Sequence, residues 1–142
     1  MTAIAAPKVR TEIQVMFFDT DAGGVVHNIA YLRFIEVART LLAAELGMSL
    51  VQMAETQLYP VVVRTEIDYR RGARLGDRLL VEGWLDELMK VRFWCRFRVT
   101  RPADDTLIAE CRQMMALVQM PDAKVLRLPE EWQKYRQPDA VA

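Results

Sequence analysis

Asp19 and Asp21, one residue apart and followed at once by Gly23 and Gly24, are the first residues of this chain whose types and spacing could do chemistry. Glycines after a strand let the backbone take positive φ or approach a ligand closely. A helical pattern begins near Asn28, a favoured N-cap type. The free N–H groups of a helix start, with its dipole, favour negative charge. Asp21 and a set of unpaired amides would then share one small space. That suits acyl transfer: Asp21 attacks a carbonyl or activates water, and the amides hold the oxyanion. Asp and Gly are equally the residues of a plain turn, and Asp before a helix often only caps it, so the residue types alone leave both readings open. The second candidate is the loop 70–78, RRGARLGDR, with Arg70, Arg71, Arg74 and Arg78. Guanidinium groups grip phosphates well, although a solvated hairpin loop has the same composition.

Several elements must position these residues. Residues 11–18 alternate, with Ile13, Val15 and Phe17 on one side, and predict a half-buried strand feeding the Asp turn. From Asn28, Ile29, Leu32, Ile35, Leu42 and Leu46 recur at helical spacing, and Tyr31, Phe34, Val37, Ala38, Leu41, Ala43 and Ala44 fill most of the rest. A helix apolar over most of its circumference is expected to be buried on most sides, with Gly47 stopping it. At about 1.5 Å per residue it would cross a small domain, with the chain wrapped on it. Residues 48–58 could hold a short second helix, ended at Tyr59-Pro60. PVVVRTEIDY reads as a strand. Residues 79–86 and 91–99 read as paired strands, the second apolar at Val91, Phe93, Cys95, Phe97 and Val99 and otherwise outward at Arg92, Trp94, Arg96 and Arg98. RPADDT is a turn. Residues 107–120 favour a closing strand while their Ala, Leu, Met and Gln also suit a helix. Pro129 opens a short C-terminal helix, and the final PDAVA is expected to fray. One long helix and then about four strands indicate an α+β fold with an antiparallel sheet. One helix cannot cover both faces of five strands, so a two-fold oligomer is expected.

The 142 residues fit a single domain, 1–142, and 52% hydrophobic residues supply a core. Lys plus Arg and Asp plus Glu both number 19, so the formal net charge is zero. That argues against a dedicated nucleic-acid or anionic-membrane binder. No apolar run is long enough to span a membrane, and the N-terminal residues lack a secretion signal. Cys95 and Cys111 are therefore expected as free thiols in the cytoplasm. Asp19, Asp21, His27 and Glu36 have no recognised metal-ligand spacing.

The run FFDTDAGGVVHNIAYLRFIEVAR resembles the signature of hotdog-fold thioesterases of the 4-hydroxybenzoyl-CoA type: aromatic-x-Asp-x-Asp-x-x-Gly-x-Val, then Tyr, then a helix with Glu and Arg. IDYRRGARLGD resembles that family's strand and following loop, with Gly72 where Pro is common, and RLPEEW resembles its C-terminal end. The likeness covers nearly the whole chain. It implies a central helix wrapped by an antiparallel sheet of about five strands, in dimers that often pair into tetramers. It implies hydrolysis of acyl-CoA thioesters with no metal and no cofactor beyond the coenzyme A of the substrate. Asp21 corresponds to the catalytic aspartate, as nucleophile or as general base. The oxyanion donor corresponds to the backbone N–H of Asn28, with Gly24, Val26 and His27 around it, where the helix start also places it. Some relatives carry a histidine one position later, where this chain has Asn28. His27 is thus displaced by one and would serve leaving-group protonation or water orientation. Asp19 would brace the loop through backbone hydrogen bonds. Coenzyme A gives Arg70, Arg71 and Arg74 its phosphates to bind. A non-catalytic acyl-CoA-binding domain and a hydrolase of acyl carrier protein thioesters are the alternatives.

Overall fold

The computed structural model describes residues 5–135, so the PDAVA tail lies outside the described residues. The chain runs β1 (Lys8–Gln14), α1 (Asn28–Glu45), α2 (Leu50–Thr56), β2 (Leu58–Tyr69), β3 (Arg78–Leu88), β4 (Arg92–Arg101), β5 (Thr106–Gln119) and β6 (Lys124–Leu126). The sheet is antiparallel in the order β1-β3-β4-β5-β2. β6 pairs with β5 from Leu117 to Gln119, on the side where β4 ends opposite Ala116. This is the expected α+β hotdog architecture, with a sixth, three-residue strand added.

Period-2 patterning builds the sheet. Val81 faces Val99, Gly83 faces Phe97 and Leu85 faces Cys95 across β3 and β4. Phe97, Cys111 and Ile67 then continue one inward row across β4, β5 and β2. Pairing on both sides makes residues 106–119 a strand despite their helix-forming residues. α1 lays Ala30, Tyr31, Phe34, Ile35, Ala38 and Leu42 on this inner surface. Ala38 comes down where Gly83 leaves room: a Cβ there would lie 3.6 Å from the Ala38 Cβ and 2.9 Å from the Phe97 ring. The helix therefore seats on β3 and β1.

Three expectations need correction. The first strand stops at Gln14, and residues 17–19 form a 3-10 turn that leaves Phe17 81% exposed. The cause is local. The Asp19 carboxylate accepts the Met16 N–H at 2.9 Å, and the Asp19 N–H donates to the Met16 carbonyl at 3.0 Å, a turn that outcompetes the ladder. α1 is buried along one stripe rather than on most sides, since Ile29, Leu32, Val37 and Leu41 stay exposed within the chain. Trp94 lies among the outward arginines of β4 yet is buried, with the Arg112 guanidinium 4.2 Å above its ring. Gly47 takes φ +88° just past the helix, α2 forms, and the C-terminal helix after Pro129 is a 3-10 helix, Glu130–Tyr135.

Candidate active site

Asp21 sits at the tip of a tight turn. Its main-chain N–H donates to the Val25 carbonyl at 2.9 Å, and its carbonyl accepts from Gly24 at 3.0 Å. Its Oδ1 accepts the amides of Gly23 at 2.8 Å and Val25 at 3.3 Å. Gly24 holds φ +74°, a left-handed conformation that a side chain would strain. The carboxylate is thus fixed through one oxygen. Its Oδ2 has no donor within the chain among the described residues, and Asp21 is exposed.

Asp19 anchors this turn from below. It is 1% exposed, and its carboxylate pairs with Arg33 on the second turn of α1. Arg33 also lies over the Phe18 ring, 4.9 Å from the centroid. The Asp19 carbonyl accepts the His27 N–H at 3.0 Å, which ties the turn to the helix start.

That start is capped by His27, one residue before the expected Asn28. Its Nδ1 accepts the Ala30 N–H at 3.1 Å, and its Nε2 lies 3.2 Å from the Phe18 carbonyl. One ring nitrogen accepts and the other must donate, which fixes the neutral Nε2–H tautomer. Both nitrogens are therefore committed to the chain. The amides of Asn28 and Ile29 have no acceptor within the chain among the described residues. They are two of the orphan donors that every helix start leaves, and they carry the positive end of the dipole.

The arginine loop is zipped onto the Asp turn. Val26 N–H donates to the Ala73 carbonyl at 2.9 Å, Leu75 N–H to Gly24 at 3.0 Å, and Val25 bridges Arg74. Arg101 staples the loop from outside: it donates to Asp77 at 2.9 Å and grips Asp104 with two nitrogens. These bonds hold the Asp104 carboxyl down to about 2. A cleft of about 300 Å³ opens between the helix start and this loop, lined by Val26, Asn28, Tyr31, Tyr69, Arg70, Arg71 and Gly72. The Tyr69 hydroxyl donates to the Asn28 carbonyl at 3.4 Å. Tyr31, whose hydroxyl accepts the Ala73 N–H at 3.2 Å, is pushed up in pKa by burial. The guanidinium groups of Arg71 and Arg74 meet no acceptor within the chain among the described residues, while Arg70 leans on Glu110 at 3.3 Å.

The cleft thus gathers Val26, Asn28, Arg70 and Arg71. Asp21 and Gly24 lie on the adjoining turn, Arg74 lies on the loop that bridges it, and the half-buried His27 spends its ring on the cap. Sequence reasoning missed Tyr69 as a wall of the cleft, Arg33 as the partner of Asp19, and Arg101 as the staple. A carboxylate with a free oxygen, orphan amides at a helix start and unpaired guanidinium groups beside them fit the hydrolysis of an ester-like bond on an anionic carrier.

Known proteins share this fold. A family described as the thioesterase-like superfamily matches residues 15–135. The acyl-CoA thioesterase YbgC of Haemophilus influenzae is 32% identical over 120 residues, covering 84% of this chain and 87% of its own. The 1,4-dihydroxy-2-naphthoyl-CoA hydrolase of Synechocystis is 28% identical over 123 residues, covering 86% of this chain and 89% of its own. Among solved structures, a 1,4-dihydroxy-2-naphthoyl-CoA thioesterase from Synechocystis superposes with a TM-score of 0.78 at 26% identity, over 91% of this chain and 95% of that one. The probable thioesterase YbaW of Escherichia coli gives 0.76 at 28%, over 88% and 94%.

Proposed function

This chain belongs to the thioesterase-like superfamily, and from that membership and the geometry around Asn28 we propose that it hydrolyses acyl-CoA thioesters to the free acid and CoA through Asp21. The observation that carries the reading is a helix start with two unspent amides, opening on a cleft with two arginines beside a turn that offers a carboxylate oxygen. The thioester oxygen rests on the Asn28 N–H, with Ile29 adding to the field. Charge that grows on that oxygen in the transition state meets dipoles already in place. Asp21 Oδ2 either attacks the carbonyl carbon or takes a proton from the attacking water. In the first case the C–S bond breaks as CoA thiolate leaves, and the resulting mixed anhydride is opened by water. Gly24 and Val26 shape the wall beside the reacting atoms.

His27 serves here as the helix cap rather than as an acid. Both of its nitrogens are spent, so leaving-group protonation falls to water. Arg70, Arg71 and Arg74 receive the CoA phosphates, with Arg71 and Arg74 free to do so without breaking an internal pair. Exposed Leu32, Val37 and Leu41 on α1, with Val61, Val62 and Val63 on the edge strand β2, support a homodimer or homotetramer. The free, buried Cys95 and Cys111 accord with the cytoplasm as its location.

A single turnover in ¹⁸O-labelled water tests the chemistry. Label appearing in the Asp21 carboxylate of the recovered peptide identifies the nucleophilic route with water attacking the aspartyl carbon. Label only in the released acid fits either the general-base route or water attacking the acyl carbon of the anhydride, and rapid-quench detection of a covalent acyl–Asp21 adduct separates these two. Absence of thiol release from every acyl-CoA tried would sink the proposal.

A further inference from the structure

A polar chain crosses the otherwise apolar inner face of the sheet at a point that the thioester chemistry does not use. Gln113 on β5 is 3% exposed, the only buried polar side chain besides Asp19 among the described residues. Cys95 faces it from β4, and Cys111 and Met115 flank it along β5. Its Oε1 accepts from Arg39 Nη1 at 2.8 Å, and its Nε2 donates to Thr65 Oγ1 at 3.2 Å. Thr65 is its cross-strand neighbour on β2. A polar group in such a setting is retained only where its hydrogen bonds are met. Here they are met by two residues that are themselves open to the outside: Thr65 is exposed, and the Arg39 side chain is 22% exposed.

These residues lie on the side of α1 that faces β2, as Asn28 does. α1 seats chiefly on β1 and β3, and toward β2 it is held at its start, where the Tyr31 and Tyr69 rings lie 5.5 Å apart. Asn28 reaches β2 through Tyr69, and Arg39 reaches it through Gln113 and Thr65. On this side Leu32 of α1 is exposed, and Ile67, between Tyr69 and Thr65 on β2, is half-buried. Asn28 and Arg39 are about 16 Å apart along the helix axis, and the arginine side chain leans back toward the helix start, leaving on the order of 10 Å to the guanidinium. Of its five N–H donors, one serves Gln113 and one the Glu36 carboxylate at 3.4 Å. The others have no acceptor within the chain among the described residues. Past Arg39 there is no room for a longer group: the recess lined by Leu42, Leu46, Pro60, Phe93 and Met115 holds about 10 Å³, barely room for one water.

We propose that the acyl group runs along this side of α1 from Asn28, and that Arg39, Gln113 and Thr65 form the selective end of its path. The preferred substrate is then an acyl group carrying a hydrogen-bond acceptor at its far end, a hydroxyl, oxo or carboxylate group about 10 Å from the thioester carbon. This deepens the thioesterase reading and rests on it. A plain alkyl end would strip water from the open guanidinium N–H groups and return nothing, whereas an acceptor replaces those waters and is held from the helix side and the sheet side together.

The test uses paired thioether analogues of acyl-CoA, which bind without being cleaved. One carries an alkyl tail, and the other a tail of equal length ending in a carboxylate. Calorimetry on the whole chain is expected to show the carboxylate-ended analogue binding at least tenfold more tightly. Arg39→Met and Thr65→Val are each expected to bring the ratio of the two Kd values to within about twofold of unity. A ratio near one in the wild type overturns the proposal. So does a ratio that survives the substitutions while both Kd values rise together, the mark of a purely structural role. Thr65 is exposed and Val has nearly its shape, so Thr65→Val keeps the test alive if Arg39→Met fails to fold. Cleavage of the matching thioesters without polar preference sinks this inference alone, and a polar preference in binding without any cleavage sinks the thioesterase reading instead.

Discussion

Arg33→Met should loosen the Asp21 turn without touching any residue that meets substrate. The Asp19 carboxylate is 1% exposed and has two partners, the Met16 amide and Arg33. Removing the guanidinium leaves a buried anion with one donor. Breaking a fully buried pair costs about 3–5 kcal/mol, but Arg33 is 48% exposed, and water shares in the interaction. The cost of losing one hydrogen bond to a charged group, about 2 kcal/mol, is the better figure. The lost contact with the Phe18 ring adds less than about 1 kcal/mol. For a chain of this size that lowers Tm by about 8 °C. Because the Asp19 carbonyl also holds the His27 amide, the fault reaches the Asp21 turn and the helix start together. The expected result is kcat at least about tenfold lower, worth 1.4 kcal/mol of barrier, with KM for acyl-CoA little changed. Thermal and urea denaturation of Arg33→Met, Asp19→Asn and the double variant measure the coupling directly. A coupling energy under about 0.5 kcal/mol, or an unaltered kcat, would refute the reasoning.

His27→Ala removes one cap bond and should cost about 1 kcal/mol of stability, read in urea. His27→Asn should recover most of it, and kcat in both should stay well above the level expected on loss of an acid. Changing Arg70, Arg71 and Arg74 together to Ala should raise KM for acyl-CoA while leaving that for a pantetheine thioester unmoved, and high salt should mimic the change. Burial pushes Cys95 and Cys111 up to about 12. Neither thiol should then be alkylated in the native chain at neutral pH, and both should label once urea unfolds it.

The sheet was legible where one face alternates and few choices compete, as along Phe93, Cys95, Phe97 and Val99. Gly47 was legible because a positive φ after a helix favours glycine. The end of the first strand was not: the pattern through Phe17 continues, and only the bond from the Asp19 carboxylate to the Met16 amide breaks it. The cap was misplaced by one residue because Asn28 is the commoner capping type, while His27 wins through an imidazole nitrogen that local sequence does not advertise. β6 is three residues long, below the length at which alternation carries information. In the site, Asp21, Asn28 and the arginines stood out by residue type and by resemblance. Arg33, Tyr69 and Arg101 act on partners 14, 41 and 24 positions away, which no local pattern encodes.

In the proposed reaction Asp21 carries the hydrolysis. Thiol release from a panel of acyl-CoAs, measured for the wild type and Asp21→Asn side by side, tests it most directly. Asn keeps an oxygen for the Gly23 and Val25 amides, so circular dichroism and Tm should match. Turnover should fall by about a thousandfold or more, some 4 kcal/mol of barrier, with acyl-CoA still bound. A folded Asp21→Asn variant that releases thiol at a rate near the wild type's would contradict the account.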